Sequence, residues 1–196
     1  MTNLKGSNMI RKITCGNKYR CFDAGFSVEL RQGLNLLVGD QGCGKSTILD
    51  GLSGLHSQAG FEVEKDEGTK FKHFDFEKYN PRTSSAFGGE IDFGVQVNVL
   101  FASHGQAVVA MLADLCKSVI NEPHTFLLDE PDTGLSIRSC RAVSNFFKML
   151  CARGHQIVAS VHNPTIILAA REVYSVEHRK WMDAGEFFET QWPEKV

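Results

Sequence analysis

The chain has 196 residues, of which 42% are hydrophobic and 22% charged, a composition typical of one globular domain with a sizeable core. The net charge is −2 and no block of lysine or arginine stands out, so charge gives no indication of a nucleic-acid-binding arm. No segment approaches the ~18 apolar residues of a membrane span, and none of the six cysteines forms a C-x-x-C pair. We therefore expect a cytoplasmic protein with reduced thiols and no place in the membrane.

The first part of the chain predicts short strands followed by a helix. Residues 9–15 and 26–30 have strand-like patterns and are expected to form an N-terminal antiparallel β part. The apolar run LNLLV at 34–38 is typical of a buried strand in a parallel sheet. A helix is predicted from Lys45 to about Leu55, because its leucine and isoleucine residues recur on one face.

Residues 57–99 are polar, rich in phenylalanine and glycine, and only weakly periodic, which suggests a small inserted subdomain within one domain over 1–196. Strand and helix patterns alternate after it. This alternation predicts an α/β fold whose mostly parallel central sheet is flanked by helices. The predicted elements are an amphipathic helix containing Val108 to Val119, a strand at 124–130, a helix at 137–152, and strands at 156–161 and 172–178.

The strongest motif is GDQGCGKS at 39–46, which fits G-x-x-x-x-G-K-[ST] in full. Glycines let backbone N–H groups close around a phosphate chain, and the following helix adds its positive end. Lys45 can reach the β- and γ-phosphates, and the Ser46 hydroxyl can ligate Mg²⁺. A glycine-rich turn could match by chance, but the predicted strand and helix on either side argue against that. The residues expected to bind the nucleotide here are Gly39, Asp40, Gln41, Gly42, Cys43, Gly44, Lys45, Ser46 and Thr47.

The second motif is FLLDEP at 126–131, where a buried strand ends in two carboxylates. Beside a phosphate-binding loop, Asp129 would associate with Mg²⁺, and Glu130 would orient or partly deprotonate a water that attacks the γ-phosphate. The alternative is a strand that ends in a solvated acidic turn.

A histidine ends the next predicted strand. His162 follows QIVASV, so it is expected at the same carboxyl edge of the sheet, where open α/β folds bind ligands. There it could donate to the γ-phosphate. A structural or surface histidine is the alternative.

The four residues SHGQ at 103–106 predict a capped helix start, with Ser103 as N-cap and Gln106 at the third helical position. A helix N-terminus is also a site where anions bind. The cap and a phosphate contact are compatible roles for this segment.

Two weaker patterns leave alternatives open. Tyr19 and Phe22 could stack on an adenine or simply pack between strands. His73, Asp75 and Glu77 alternate along a possible strand with a spacing that could bind a metal, but we favour a solvated polar face. Asp75 could instead assist the Mg²⁺ site.

Taken together, GDQGCGKST, ASHGQ, FLLDEP, PDTGLS and VHN resemble, in order and spacing, five motifs of the ATP-binding-cassette (ABC) ATPase domain. In that family they are Walker A, the signature motif, Walker B, the D-loop and the switch histidine. The resemblance covers about residues 9–180 and looks closest to soluble ABC-type ATPases related to SMC and DNA-repair proteins. It implies a P-loop NTPase fold.

The resemblance also implies a mechanism in which two chains sandwich two ATP molecules. Lys45, Glu130 and His162 become the catalytic residues, while Ser46 and Asp129 hold Mg²⁺. Ser103, Gly105 and Gln106 would contact the nucleotide bound by the partner chain, and Asp132 belongs to the loop that crosses the interface.

The sequence departs from the family pattern in two places. His104 replaces the first glycine of the signature motif, and no glutamine can be assigned between Walker A and the signature, since Gln58 and Gln96 are both badly placed. Ser103 follows Lys45 by only 58 positions, which is short for a transporter's helical subdomain and too short for a long coiled coil.

The sequence therefore predicts an Mg²⁺-dependent ATP hydrolase that works as a nucleotide-dependent homodimer, coupled to a protein or nucleic-acid partner. Two alternatives remain open. One is the ATP-binding subunit of a membrane transporter, and the other is a module that binds ATP without hydrolysing it.

Overall fold

The structure is a computed structural model that describes residues 8–76, 104–117 and 122–191. Its strands are β1 (Ile10–Cys15), β2 (Ser27–Glu29), β3 (Leu34–Val38), β4 (Phe61–Lys65), β5 (Phe71–Asp75), β6 (Thr125–Asp129), β7 (Gln156–Ser160), β8 (Glu172–Ser175) and β9 (Lys180–Asp183). Its α-helices are α1 (Lys45–Leu52), α2 (His104–Lys117), α3 (Ile137–Ala152), α4 (Pro164–Ile167) and α5 (Ala184–Thr190), and a 3₁₀ turn covers Ser57–Ala59.

The central sheet has the strand order β5-β6-β7-β3-β8-β9. The first five strands are parallel, and only β9 runs antiparallel to its neighbour β8. β6 and β7 are buried along their whole length, as expected for strands covered on both faces. This sheet confirms the predicted α/β class with its mostly parallel sheet.

A second, antiparallel sheet has the order β2-β1-β4 and forms the N-terminal β part. It packs against α1, which in turn packs on the central sheet, so that α1 lies in a buried layer between the two sheets. Apolar residues from α2, α3 and α5 cover the opposite face of the central sheet. The glycine-rich loop at 39–46 therefore leads into a helix that is enclosed between the two sheets.

The described part of the segment predicted as an insertion is built into the two sheets. Residues 57–76 contribute β4 to the N-terminal sheet and β5 to the edge of the central sheet, so this part belongs to the two sheets rather than to a separate unit. Most of β4 is exposed, which explains the weak hydrophobic pattern of the sequence there. Residues 77–99 lie outside the described residues.

The helix predicted at 137–152 is confirmed at those positions as α3. Ser136 caps it by accepting a hydrogen bond from the Ser139 N–H, and the chain leaves it through Gly154, whose φ is 88°. α1, by contrast, ends at Leu52 rather than Leu55, and Leu55 is exposed. Ser53 and Gly54 end the helix before its apolar periodicity does.

One buried polar side chain connects the two sheets. Gln156, at the start of β7, accepts hydrogen bonds from the Ile10 N–H (2.9 Å) and the Thr125 hydroxyl (2.8 Å). Its amide nitrogen donates to the carbonyls of Ile10 (2.9 Å) and Arg31 (3.0 Å). Both polar atoms of this side chain bond to Ile10 of β1, and each also bonds to a second segment, which fixes β1 against the central sheet.

We predict that Gln156→Met, which keeps the volume but removes these bonds, lowers the free energy of unfolding by about 2–4 kcal/mol, because buried backbone groups lose their partners. Chemical denaturation measures the change. Gln58→Met, at an exposed position, is the matched control and should be nearly neutral. Equal small effects from both variants would contradict the inferred role of Gln156.

Candidate functional site

The parallel register brings the predicted motifs to one edge of the central sheet. Leu37 in β3 pairs with Ser160 in β7, and Ser160 pairs with Asp129 in β6. The loops that follow these strands therefore begin side by side. They carry the glycine-rich loop, the two carboxylates and the histidine, as the sequence predicted.

The glycine-rich loop is closed by its own lysine. Lys45 is buried, and its ammonium donates hydrogen bonds to the carbonyls of Gly39 (2.9 Å) and Asp40 (2.8 Å). α1 begins at Lys45, so its first N–H groups lack partners in the preceding turn and are available for an anion. The loop thus places a buried ammonium group beside a helix N-terminus, an arrangement that favours anions.

A short hairpin around Tyr19 and Phe22 lies directly over the loop. Gly44 has φ 108°, and a Cβ built on it would lie 2.4 Å from the Phe22 ring and 2.6 Å from the Cys21 sulfur. Only glycine fits under this hairpin. The requirement for Gly44 therefore comes from tertiary packing as well as from the loop's backbone conformation.

Asp129 connects the loop to the acidic strand. Its Oδ1 accepts hydrogen bonds from the Ser46 hydroxyl (3.1 Å) and the Ser160 hydroxyl (2.5 Å). Burial raises the pKa of the Asp129 carboxyl above its usual value, although the bonds from Ser160 and Ser46 act in the opposite direction. A hydroxyl and a carboxylate oxygen side by side are ligands that Mg²⁺ prefers.

Glu130 and His162 face each other across the edge. Glu130 has φ 51°, a left-handed conformation that few non-glycine residues adopt. Its Oε1 lies 3.2 Å from the His162 Nε2, and its Oε2 accepts a bond from the Thr133 hydroxyl at 3.0 Å. The backbone N–H of Glu130 donates to the Ser160 hydroxyl at 2.9 Å. Ser160 therefore bonds both the carboxylate of Asp129 and the backbone of Glu130, a role that the sequence prediction missed.

A cleft of about 340 Å³ opens between the hairpin and these groups. Arg20, in the hairpin, donates a hydrogen bond from Nη1 to the Thr47 hydroxyl at 2.9 Å and so brings a second cation to the loop. Sequence reasoning missed Arg20, because nothing in its local pattern places it at the phosphate-binding loop. The cleft is lined by Arg20, Cys21, Gln41, Gly42, Gly44, Lys45, Ser46, Thr47, Glu130 and His162.

Glu177 is a further residue of the site that the sequence prediction missed. It follows β8 at the same edge, and its Oε1 accepts a bond from the Asp40 N–H at 2.7 Å. Both backbone polar groups of Asp40 are therefore bonded to charged side chains: its N–H donates to Glu177, and its carbonyl accepts from Lys45. The position of Glu177 at the end of a predicted strand beside the loop was the available signal.

Asp132 lies inside the chain's own core. It is 5% exposed, and its Oδ2 accepts hydrogen bonds from the N–H groups of His162 (2.7 Å) and Asn163 (2.5 Å). Burial raises the pKa of Asp132, and the bonds from Asn163 and His162 act against that shift. The sequence predicted a contact with a partner chain for this residue, and that contact stays a prediction.

The structure describes most residues of the two weaker patterns, the aromatic pair Tyr19 and Phe22 and the polar strand around Asp75. Phe22 is 2% exposed and stacks on Phe26 with ring centroids 4.3 Å apart, so it belongs to the core; Tyr19 is only half-buried and packs beside His56. Asp75 pairs in register with Asp129, and its charge contributes to the raised pKa of that residue. Within the described ranges no group of three or more histidine, cysteine or acidic side chains forms a metal site, and Glu77 lies outside them.

The described part of the signature segment is its helix. α2 begins at His104, and Gln106, two residues further on, is exposed, while Ser103 lies outside the described residues. The predicted contacts of Ser103, Gly105 and Gln106 with a partner's nucleotide therefore stay predictions.

The cysteines at 15, 21, 43, 140 and 151 are free thiols, as expected.

Comparison with known proteins agrees with this geometry. The model of the AAA domain family matches residues 16–111, just under half of the chain. Among curated proteins, none matches the sequence. The structural likeness described next concerns the fold of the whole chain.

Several solved ATP-binding cassettes share the fold. cbiO1 from Clostridium perfringens, part of the ABC transporter complex cbiONQ, is 14% identical with a TM-score of 0.66, covering 93% of this chain and 92% of that one. MJ1267 in its ADP conformation, an ATP-binding cassette of an ABC transporter, is 15% identical with a TM-score of 0.60 (90% and 89% covered). A nucleotide-free cassette from an ABC transporter is 16% identical with a TM-score of 0.60 (85% and 87% covered). The fold is therefore that of ABC-type P-loop NTPases.

No helix in the described ranges is long and apolar enough to cross a bilayer. The subgroup of SMC and DNA-repair relatives finds no further support in these comparisons.

We predict that Gly44→Ala lowers the free energy of unfolding by about 2–4 kcal/mol, since the left-handed backbone and the collision with Phe22 add together. Gly42→Ala is the matched control: its φ is 82°, but nothing lies within 4 Å of its built Cβ, so a loss of about 1 kcal/mol is expected. Thermal and urea unfolding without nucleotide measure both. Equal losses would show that the hairpin does not constrain Gly44.

We also predict that Asp129→Asn stabilises the protein without nucleotide at neutral pH. Because the pKa of Asp129 is higher in the folded state, stability falls as pH rises from the usual value of 3.8 through the folded pKa, and the loss is complete above it. Asparagine can still accept the two serine bonds, so the variant should lack this pH-dependent loss. Urea unfolding in EDTA from pH 4 to 8 tests this; parallel curves for the two proteins would contradict it.

Proposed function

We propose that this protein is an Mg²⁺-dependent ATPase that binds ATP at residues 39–47 and hydrolyses it in a nucleotide-sandwiched homodimer. The single observation that carries the proposal is the contiguous hydrogen-bonded path from the phosphate-binding loop to the candidate base. It runs from Ser46 through Asp129 and Ser160 to Glu130, and from Glu130 to His162.

The residues of the cleft divide into groups that would bind the phosphates and groups that would hold Mg²⁺. Lys45 and the first N–H groups of α1 would bind the β- and γ-phosphates, with the backbone of Gly39 to Thr47 around them. Ser46 and Asp129 would hold Mg²⁺, which neutralises phosphate charge when bound. Arg20 adds a second positive charge to the same cleft. All of these groups stabilise negative charge where it develops.

The candidate base is Glu130. Its two carboxylate oxygens are held in different directions by His162 and Thr133, so the carboxylate has a fixed orientation at the mouth of the cleft. A carboxylate in this place can orient a water for in-line attack on the γ-phosphate. His162 can donate to the same phosphate when ATP replaces the contact with Glu130.

The homodimer supplies the part of the site that one chain lacks. The N-terminus of α2, with Gly105 and Gln106, and the preceding Ser103 would meet the γ-phosphate held by the partner. The proposal assigns this protein to soluble ATPases related to SMC and DNA-repair proteins, coupled to a protein or nucleic-acid partner in the cytoplasm.

A second candidate is the ATP-binding subunit of a membrane transporter. The likeness to transporter cassettes such as cbiO1 over nine-tenths of both chains favours it. The two candidates differ in whether hydrolysis needs a membrane partner. ATP hydrolysis by the purified protein in detergent-free buffer, unchanged by added membranes, supports the first; activity only with a co-purified membrane protein supports the second.

We predict that Glu130→Gln lowers the rate of phosphate release by roughly 100- to 1000-fold while ATP binding persists, because the base is lost but the phosphate contacts remain. The variant should accumulate as an ATP-bound dimer in light scattering with Mg²⁺. The matched control is Glu64→Gln, on exposed β4, which should behave as wild type. A Glu130→Gln protein that stays monomeric at saturating ATP would contradict the dimer, and one that still hydrolyses ATP would contradict the base.

A further inference from the structure

Asp132 is a carboxylate where an apolar residue would be expected. It lies in the turn after β6 and is only 5% exposed. A buried carboxylate loses hydration, which must be offset by hydrogen bonds. The described contacts of its Oδ2 are two backbone N–H groups, and its Oδ1 is buried without a hydrogen-bond partner among the described residues. Packing alone gives no reason for an acid at this position.

The two N–H groups belong to His162 and Asn163, at the point where the chain leaves β7. Asn163 in turn accepts a bond from the Thr165 N–H at 2.9 Å and caps the short helix α4. The turn that carries His162 is therefore fixed on one side by Asp132 and on the other by this cap. The main chain of His162 is therefore hydrogen-bonded to Asp132, and the next residue belongs to the cap of α4.

Asp132 also completes a reciprocal pair of links between two segments. Ser160, two residues before His162, accepts a bond from the N–H of Glu130. Asp132, two residues after Glu130, accepts a bond from the N–H of His162. The segment after β6 thus bonds the backbone of His162, and the end of β7 bonds the backbone of Glu130. The side chains of these two functional residues lie 3.2 Å apart between the links.

We propose that Asp132 is a positioning residue that sets the imidazole of His162 against Glu130 by holding the backbone of residues 162 and 163. The role is exerted within one chain and is independent of any contact that the same loop makes with a partner chain. Its effect on turnover rests on the proposed ATPase function, whereas its effect on the position of His162 does not.

Two variants separate positioning from packing. Asp132→Ala removes both bonds and should displace the turn. Asp132→Asn keeps an oxygen that can accept both N–H groups, although it places an amide where the orphan Oδ1 lies, so it should retain the position of His162 even if it is less stable. Should Asp132→Ala not fold, Asp132→Ser takes its place, because its hydroxyl is too short to reach both N–H groups.

Three readouts are taken on the full chain: turnover of Mg²⁺-ATP, the Kd for ATP measured with a fluorescent analogue, and the NMR resonance of the His162 Hε1 without nucleotide, assigned with His162→Ala. For Asp132→Ala we expect turnover to fall roughly 10- to 100-fold, the effect of a small misplacement, with the Kd within about threefold of wild type and the resonance displaced. Asp132→Asn should keep turnover within about threefold and leave the resonance in place.

Unchanged turnover or an unmoved resonance in Asp132→Ala would overturn the proposal, as would equal losses in both folded variants. A wild-type protein that neither binds nor hydrolyses ATP would refute the proposed function instead, and the resonance of His162 in the two variants would then decide the present inference alone.

Discussion

The hydrogen bond between Ser46 and Asp129 is the contact on which the rest of the site depends, because it joins the phosphate-binding loop to the acidic strand. Ser46 lies at the start of α1, which follows β3, and Asp129 ends β6. These two strands are not neighbours, because β7 lies between them. Ser160 on that intervening strand bonds to the same carboxylate oxygen and to the next residue's N–H. The register of three parallel strands thus sets the spacing of the side chains in the candidate site.

Several features of this arrangement lower the stability of the folded chain. Two carboxyl groups, Asp129 and Asp132, are buried, and burial raises the pKa of both. Glu130 between them has a left-handed backbone conformation. Each feature is unfavourable by itself, and each is held by hydrogen bonds from Ser46, Ser160 or the turn after β7. A bound metal ion would offset the negative charge of these carboxyl groups.

Much of the fold could be predicted from the sequence because local signals agree with it. α3 has a capping serine, a regular apolar face and a terminating glycine, and its predicted bounds are the observed ones. The loop at 39–46 and the carboxylates at the end of β6 carry motifs whose chemistry limits where they can lie. Strands β4 and β5 were missed as part of the sheets, since β4 is mostly exposed and β5 lies at an edge, and neither position requires a long apolar pattern. The contact of Arg20 with Thr47 depends on tertiary packing, which no local pattern encodes.

The central claim is that one chain brings a Mg²⁺-ATP hydrolysis centre and needs a second copy to complete it. The most direct measurement is the rate of phosphate release per protein molecule as a function of protein concentration, with Mg²⁺ and with EDTA, beside Lys45→Ala. The account predicts release that requires Mg²⁺, saturates with ATP and increases per molecule as concentration rises and dimers form. Release no faster than that of Lys45→Ala at every concentration would contradict it.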